Sequence, residues 1–276
     1  MTVTLSGFAD EISADPAEQL AVLAAESITH LELRSAWSVN VADFTDAQLA
    51  GFRTATEAAG VQVSAIGSPI GKIPVGAPLE PELERMRRIA DVAGELGTAL
   101  VRVFSFYIPA DEPPEHYRAQ VIDRMGALAR IAEERGVILA HENEKEIYGD
   151  VPGRCADLIT SVASPALRAT FDAANFVQCG VRPFTDAYPL LRPHLVSLQV
   201  KDAHAATGEV TPAGEGDGEM RETLQALRDS GFTGFMSLEP HLDLAGRQGG
   251  FSGPDKFRQA AQALKRLLDE LSVGWD

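Results

Sequence analysis

The chain has 276 residues, with 40 acidic and 24 basic side chains and a formal net charge of −16. Apolar residues make up 45% and charged residues 23%, the usual mixture of a soluble globular protein with a substantial core. The acidic balance argues against a nucleic-acid-binding protein, whose surface normally carries a basic stripe. Because no apolar run reaches the roughly 20 residues that span a bilayer, we expect no membrane partner.

The cysteine content and the start of the chain bear on the cellular compartment. Two cysteines, Cys155 and Cys179, are too few for a disulfide framework, and we expect buried thiols. No signal peptide precedes the first strand-like segment. The expectation is therefore a cytoplasmic enzyme, for which a homo-oligomer and a partner subunit both stay open.

Short β-branched runs alternate with amphipathic stretches along the chain. The predicted strands are Val3–Phe8, Ile28–Arg34, Val61–Gly67, Ala99–Phe104, Val137–Glu142, Leu167–Asp172, Leu195–Lys201 and Gly234–Glu239. Helical spacing of apolar residues lies between them, for example over Pro16–Glu26, Pro81–Leu96 and Asp255–Leu271. Eight such units without a Pro/Ser-rich linker predict an α/β fold, a single (β/α)₈ TIM barrel domain over residues 1–276. A doubly wound open sheet is the alternative, but the glycine-rich phosphate turn expected after its first strand is missing.

The alternation of side chains within three of the strands predicts a polar barrel interior. Apolar residues such as Leu31, Leu33, Leu198 and Val200 fit the layer that faces the helices. The residues between them then point inward, namely His30, Glu32, Arg34, Ser197, Gln199, Lys201, Phe235, Ser237 and Glu239. A barrel filled only for stability would use branched aliphatic residues here, so this pattern indicates a functional mouth.

Four polar residues fall at the carboxyl ends of four successive predicted strands: Glu142, Asp172, Gln199 and Glu239. Neighbouring strands lie about 4.8 Å apart, so these side chains can converge on one point. Three carboxylates in a partly desolvated cavity repel each other unless a cation neutralises them. Oxygen ligands favour Mn²⁺ or Mg²⁺ over Zn²⁺, with Co²⁺ or Zn²⁺ as alternatives, and Mn²⁺ is the expected ion. The alternative to a metal site is that each acid forms an ordinary ion pair with a Lys or Arg at the rim.

These residues also carry a family resemblance. The chain resembles the sugar phosphate isomerase/epimerase family of xylose-isomerase-like TIM barrels. Its most specific segments are Glu142-Asn143, Asp172-Ala173-Ala174-Asn175, Val200-Lys201-Asp202-Ala203, Gly214–Gly218 and Ser237–His241. The resemblance implies a metal site of Glu, Asp, His and Glu, of which three map onto Glu142, Asp172 and Glu239. Gln199 stands where the family usually has His, which favours Mn²⁺ or Mg²⁺ further; His204 is a weaker candidate ligand.

The resemblance also implies a chemistry. The enzyme would remove a proton from the carbon next to the carbonyl of a small-molecule sugar substrate, through an enediolate that the metal stabilises. Glu142 and Glu239 are then the catalytic acid/base pair. The result is a ketose-type isomerase or epimerase. The alternative is a lyase or dehydratase on the same site, similar to inosose dehydratases or to enzymes that cleave 3-keto-glycosides.

Several further residues are candidates for substrate binding. Lys201 would hold a substrate oxygen, or else form a salt bridge to Glu142 or Glu239. Asn175 matches a family position that often contacts substrate. Glu32 and Arg34 bind hydroxyls or form an internal ion pair, and His241 contacts the substrate or supports Glu239. The remaining candidates are Ser68 and Lys72 in a loop after the third strand, and Phe106 and Tyr107, whose rings could stack on a sugar.

Two other classes of protein are alternatives for this barrel. A DNA-repair endonuclease of the endonuclease IV group shares the barrel but uses many histidines and grips a phosphate backbone. Six histidines and a charge of −16 argue against it. A non-catalytic sugar-binding or subunit role on the same scaffold stays open, because the fold alone does not fix the activity.

Overall fold

The fold is a barrel of eight parallel strands in a computed structural model that describes residues 2–242 and 252–276. The strands are β1 (Thr2–Gly7), β2 (His30–Leu33), β3 (Gln62–Ile66), β4 (Leu100–Val103), β5 (Ile138–Glu142), β6 (Leu167–Asp172), β7 (Leu195–Val200) and β8 (Phe235–Leu238). Hydrogen bonds join neighbouring strands in the order β1, β8, β7, β6, β5, β4, β3, β2. A parallel bridge between Phe8 and Glu32 connects β1 back to β2. The predicted (β/α)₈ barrel is thereby confirmed, whereas its extent as one domain over residues 1–276 stays a prediction.

Helices surround the strands. They are α1 (Pro16–Ala25), α2 (Asp46–Ala59), α3 (Glu80–Glu95), α4 (Arg118–Arg135), α5 (Pro152–Val162), α6 (Ala173–Gln178), α7 (Tyr188–Leu191), α8 (Met220–Ser230) and α9 (Gly253–Glu270). Thr45 and Gln48 form a capping box at the start of α2, and Gly60 ends that helix in the left-handed conformation with φ +68°. In residues 2–242 and 252–276 we find no helix with the length and apolar character that a membrane span requires.

Short pairs of strands decorate the barrel. Ser35–Ala36 pairs antiparallel with Val39–Asn40 after β2, and Asp202–Ala203 pairs antiparallel with Val210–Thr211 after β7. Both hairpins follow the carboxyl end of a barrel strand, which is the face where TIM barrels build their sites. Gly274–Trp275 pairs with the start of β1, at the opposite end of the barrel.

Polar side chains line much of the barrel interior. The hydroxyl groups of Ser6 and Ser64 lie 2.6 Å apart, and Ser197 donates to Thr170 over 2.8 Å. Leu198 and Val200, the neighbours of Gln199, are buried in the hydrophobic core between sheet and helices. The alternation predicted for the seventh strand is therefore correct.

The strand register sets the level of the interior residues. Asp172 pairs with Gln199, Gln199 pairs with Ser237, and Ser237 pairs with Ser6. Residues paired across parallel strands point to the same face, so these four side chains form one row around the barrel. Lys201 and Glu239 follow two residues after Gln199 and Ser237, which raises them toward the mouth.

Candidate active site

Three carboxylates converge at the mouth of the barrel. Glu142 and Asp172 end β5 and β6, and Glu239 directly follows β8. One oxygen atom from each lies within 4.8 Å of the others. All three residues are at most 2% exposed. The structure thus brings together the three acids that the sequence placed at strand ends.

Gln199 pairs with Asp172 in the strand register and offers an amide group next to the three carboxylates. Its side chain is 2% exposed, and neither Oε1 nor Nε2 has a hydrogen-bond partner among the described residues. A buried amide without partners is costly, because it has given up its hydrogen bonds to water. Its register beside Asp172 makes Oε1 suitable as a fourth oxygen ligand for a hard cation.

Cationic side chains contact each of the three carboxylates. Lys201 Nζ lies 2.6 Å from Glu239 Oε2 and 2.9 Å from Asp172 Oδ2. Arg102 Nη1 donates to Glu142 Oε2 over 3.1 Å. The ion pairs expected if the acids did not bind a metal therefore exist. Lys201 pairs with Glu239 and Asp172 rather than with Glu142. They do not scatter the carboxylates, which still share one centre.

Burial and charge separate the proton affinities of these groups. Burial raises the pKa of Glu142 to about 8 despite the nearby charge of Arg102, and it raises the pKa of Asp172 to about 6 despite Lys201. Burial would also raise the pKa of Glu239, but the charges of Lys201 and the surrounding cations hold it well below its usual range. Glu239 is therefore the group most strongly held in the ionised form.

Arg34 is the hub of a second cluster of acids next to the first. Its guanidinium lies 2.7 Å from Asp10 Oδ2, 2.7 Å from Glu11 Oε1 and 2.8 Å from Glu239 Oε1. An ion pair of Arg34 with Glu32 was one of the two alternatives for these residues, and the structure instead pairs Arg34 with these three other carboxylates. His241 Nε2 lies 3.3 Å from Glu11 Oε1 and 3.5 Å from Glu239 Oε1, so His241 faces the same cluster.

Glu32 lies on the inner face of the barrel, as its alternation predicts. The residue is 5% exposed, and burial raises its pKa to about 7. Together with Asp10, Glu11, Glu142, Asp172 and Glu239 it makes six acids. Among the described residues, the basic groups that face them are Arg34, Arg102, Lys201 and the imidazole of His241. The acids outnumber these basic groups, and a divalent cation bound among them would offset negative charge that the basic groups leave unpaired.

Two asparagines hold the acids in place. Asn175 Nδ2 donates to Glu142 Oε1 over 3.0 Å, and the Asn175 backbone N–H donates to Asp172 Oδ1 over 2.8 Å at the start of α6. Asn143 exchanges two hydrogen bonds with the backbone of Asp172, at 2.9 and 3.0 Å. Neither asparagine contacts Asp172 Oδ2, the oxygen that lies 2.9 Å from Lys201 Nζ.

Arg102, Asp10 and Glu11 also belong to the site, although they were not predicted as site residues. The available signal for Arg102 was its position in β4 between the buried residues Val101 and Val103, which turns it into the barrel. Asp10 and Glu11 belong to a helical turn after β1, and periodicity gives no indication of where such a turn points.

Two predicted substrate contacts are wrong. Ser68 is fully buried and its hydroxyl donates to the backbone carbonyl of Arg102, so it is committed inside the protein. Phe106 is also fully buried, with a φ of +68° that turns its ring into the core beneath the guanidinium of Arg124. Tyr107 is partly exposed and its backbone bridges Pro74 and Ile147.

The glycine-rich segment 214–218 is anchored by a buried carboxylate. Asp202 accepts hydrogen bonds from the backbone N–H groups of Ala203, Gly214, Gly216 and Gly218, at 2.7 to 3.2 Å. A Cβ atom on Gly216 or Gly218 would lie 2.5 or 2.4 Å from Asp202 Oδ1. The carboxylate of Asp202 therefore fixes the backbone of this segment.

The remaining histidine and cysteine candidates lie outside the cluster. His204 is exposed and does not belong to the acidic triad, so it offers no ligand there. His141 is 1% exposed, contacts Ser105 Oγ at 3.0 Å, and has its pKa lowered to about 4 by burial. Cys155 and Cys179 are free thiols whose pKa burial raises.

The comparisons with known proteins agree with this fold. Residues 20–267 match the family model described as xylose isomerase-like TIM barrel. The chain belongs to this family. Over 182 residues it is 33% identical to the 2-epi-5-epi-valiolone 7-phosphate 2-epimerase of Actinoplanes sp. (strain ATCC 31044 / CBS 674.73 / SE50/110). That match covers 64% of this chain and 64% of the relative, slightly less than two thirds of its length.

Solved structures of similar fold include sugar epimerases. D-Psicose 3-epimerase from Clostridium cellulolyticum H10, crystallised with D-tagatose, superimposes with a TM-score of 0.77 at 15% identity, covering 98% of this chain and 99% of that one. The IOLI protein, crystallised with a zinc atom, superimposes with a TM-score of 0.74 at 14% identity, covering 98% of each chain. At such identities the likeness concerns the fold.

Proposed function

We propose that the protein is a divalent-metal-dependent carbohydrate epimerase or isomerase that removes a proton from the carbon beside a carbonyl group. The observation that carries this proposal is the convergence of Glu142, Asp172 and Glu239, with the amide of Gln199 next to Asp172 in the strand register and without a hydrogen-bond partner among the described residues. The epimerase activity of the Actinoplanes relative supports the same reaction class. A sugar-like ketone, with or without a phosphate group, is the proposed substrate class.

The donor set fits a hard cation. Glu142, Asp172, Gln199 and Glu239 would hold it, since all four offer oxygen atoms and the Gln199 carbonyl oxygen is free. Mn²⁺ is the ion we propose first. When bound, a divalent cation withdraws electron density from the carbonyl oxygen and so acidifies the neighbouring C–H.

Glu142 and Glu239 are the proposed acid/base pair. Because one oxygen of each lies within 4.8 Å of the other at the mouth of the barrel, one of the two carboxylates can accept the proton and the other can return it. Asn175 and Arg102 each hold one oxygen of Glu142, which fixes the orientation of its carboxyl group. Arg34 holds Oε1 of Glu239 in the same way.

Substrate contacts come from residues around this pair. Lys201 is proposed to bind a substrate oxygen, and His241, Asn175 and Glu32 to contact hydroxyl groups. Arg34 acts through Glu239 rather than through a substrate hydroxyl, because its three bonds to carboxylates occupy the guanidinium.

The decisive experiment follows solvent deuterium into products. The protein loaded with Mn²⁺ is incubated with a panel of ketoses, cyclitol ketone phosphates and 3-keto-glycosides in deuterated buffer. Deuterium in a product of unchanged composition supports the proposal, whereas release of water or an aglycone identifies the lyase alternative. Failure of every substrate to exchange, in protein shown to bind Mn²⁺, would contradict the proposed reaction.

Two substitutions test the roles of the acids. Glu142→Gln and Glu239→Gln should each lower turnover by about 10²-fold or more, because the proton-transfer group is lost. Glu57→Gln is the control, since its side chain is 70% exposed on the outside of α2. Gln199→His should keep or strengthen Mn²⁺ binding. Wild-type turnover in either Glu→Gln variant would contradict the acid/base assignment.

A further inference from the structure

Lys201 occupies a special place in the carboxylate cluster. Its ammonium group, 4% exposed, lies between Asp172 Oδ2 at 2.9 Å and Glu239 Oε2 at 2.6 Å. We propose that Lys201 is a built-in competitor of the divalent cation: both use these two oxygens, so that cation binding moves Nζ away and frees it to bind the substrate. This inference rests on the proposed metal-dependent function.

The other oxygens of the two acids are already engaged. Asp172 Oδ1 accepts the backbone N–H of Asn175 at 2.8 Å, and Glu239 Oε1 accepts Nη1 of Arg34 at 2.8 Å. Oδ2 of Asp172 and Oε2 of Glu239 both face Nζ, so a cation that uses these two oxygens meets the ammonium group of Lys201. Among the described contacts, the polar group within 3 Å of each of them is Nζ of Lys201.

A divalent ion can use ligands that the ammonium group does not. Nζ leaves both polar atoms of Gln199 without a partner, although this amide is adjacent to Asp172 in the strand register. An ion at the centre of the triad would also reach Glu142, whose contacts are Arg102 and Asn175. Two like charges cannot share one pair of oxygens at such short range, so the ion with more ligands displaces the ammonium.

The backbone of Lys201 stays in place while its side chain moves. The next residue, Asp202, is fixed by four backbone N–H groups, and Val200 N–H and C=O belong to the barrel sheet. The four-carbon stem of Lys201 is the flexible part, and it places a strongly hydrated point charge wherever an oxygen acceptor is available. A substrate oxygen near the acid/base pair is within the same part of the mouth.

The test measures Mn²⁺ affinity rather than turnover. Equilibrium dialysis and electron paramagnetic resonance titration compare wild type with Lys201→Met and with the charge-matched control Arg34→Met. Competition predicts that Lys201→Met binds Mn²⁺ at least about tenfold more tightly than wild type, and that Arg34→Met gains much less, because Arg34 bonds to the other oxygen of Glu239. Equal gains in the two variants would overturn the competition.

Crystals of the wild-type protein grown with and without Mn²⁺ provide a second readout that does not depend on a variant folding. Nζ should lie beyond hydrogen-bond distance of Asp172 Oδ2 and Glu239 Oε2 in the Mn²⁺ crystals only. An unmoved Nζ beside a bound ion would overturn this inference and leave the proposed function intact. If neither wild type nor Lys201→Met binds Mn²⁺ or Mg²⁺, the proposed function and this inference both fail.

Discussion

Replacing Asp202 by alanine should strongly destabilise the protein, although Asp202 is not one of the proposed catalytic, metal-binding or substrate-binding residues. The carboxylate is fully buried and accepts four backbone hydrogen bonds, two from the buried N–H groups of Ala203 and Gly218 and two from the part-buried ones of Gly214 and Gly216. Alanine offers no acceptor. The segment 214–218 would then have to find water or another conformation.

The expected size of the effect follows from the buried donors. Leaving a buried N–H without an acceptor costs about 1–3 kcal/mol, and two such groups are affected. The donors of Gly214 and Gly216 lie nearer the surface and can be hydrated, so we count little for them. Asp202→Ala should therefore lower the free energy of unfolding by about 2–6 kcal/mol.

Urea denaturation followed by circular dichroism measures this quantity directly. Asp217→Ala is the matched control, because this neighbouring carboxylate is exposed and accepts a backbone N–H from Ala205 at 2.7 Å. The control should lose less than about 1 kcal/mol. If the two variants lose the same free energy, the anchoring role of the Asp202 carboxylate is refuted.

Three further predictions concern the fold around the site. Arg34→Met should lower the free energy of unfolding by about 3–5 kcal/mol in urea denaturation, since three buried carboxylates lose their shared partner; a loss below about 1 kcal/mol would contradict this. Gly149→Ala should lower the free energy of unfolding by about 1–3 kcal/mol, because the added Cβ would lie 2.4 Å from Cε1 of His141. An unchanged melting temperature would show that the ring moves aside. The pKa of His141, lowered by burial to about 4 against about 6.5 in the unfolded chain, favours the neutral ring in the folded state, so stability is lost as the pH falls below about 6.5. Between about pH 7 and pH 5 this protonation lowers the free energy of unfolding by about 2 kcal/mol. In urea denaturation at the two pH values, wild type should therefore lose about 2 kcal/mol more than His141→Gln.

The positions of the site acids were predictable because strand geometry is local. The period of two along each strand fixed which residues point inward, and the end of each apolar run fixed their level. Both rules act within a single segment, so the convergence of Glu142, Asp172 and Glu239 required no knowledge of tertiary contacts. The inward direction of Glu32 followed from the same rule.

The ion pairs were not predictable, because they depend on which charged groups meet in three dimensions. Arg34 has Glu32 two residues away, yet it bonds to Asp10 and Glu11 from the turn after β1 and to Glu239 after β8. Phe106 shows the same limit for an aromatic residue. One positive φ turns its ring from the mouth into the core, and no apolar pattern reports a single backbone angle.

The guanidinium of Arg102 lies between two aromatic rings, 5.0 Å from the centroid of Phe8 and 4.8 Å from that of Phe104. Its Nη2 also donates to the backbone carbonyl of Gly67 at 3.2 Å. The two rings and this hydrogen bond hold the planar guanidinium in one orientation, so Glu142 contacts a cation of fixed position. Glu239 and Asp172 contact the ammonium group of Lys201, which is carried on a flexible side chain. Replacing Arg102 by lysine would keep the positive charge but lose the planar group that the two rings hold in place.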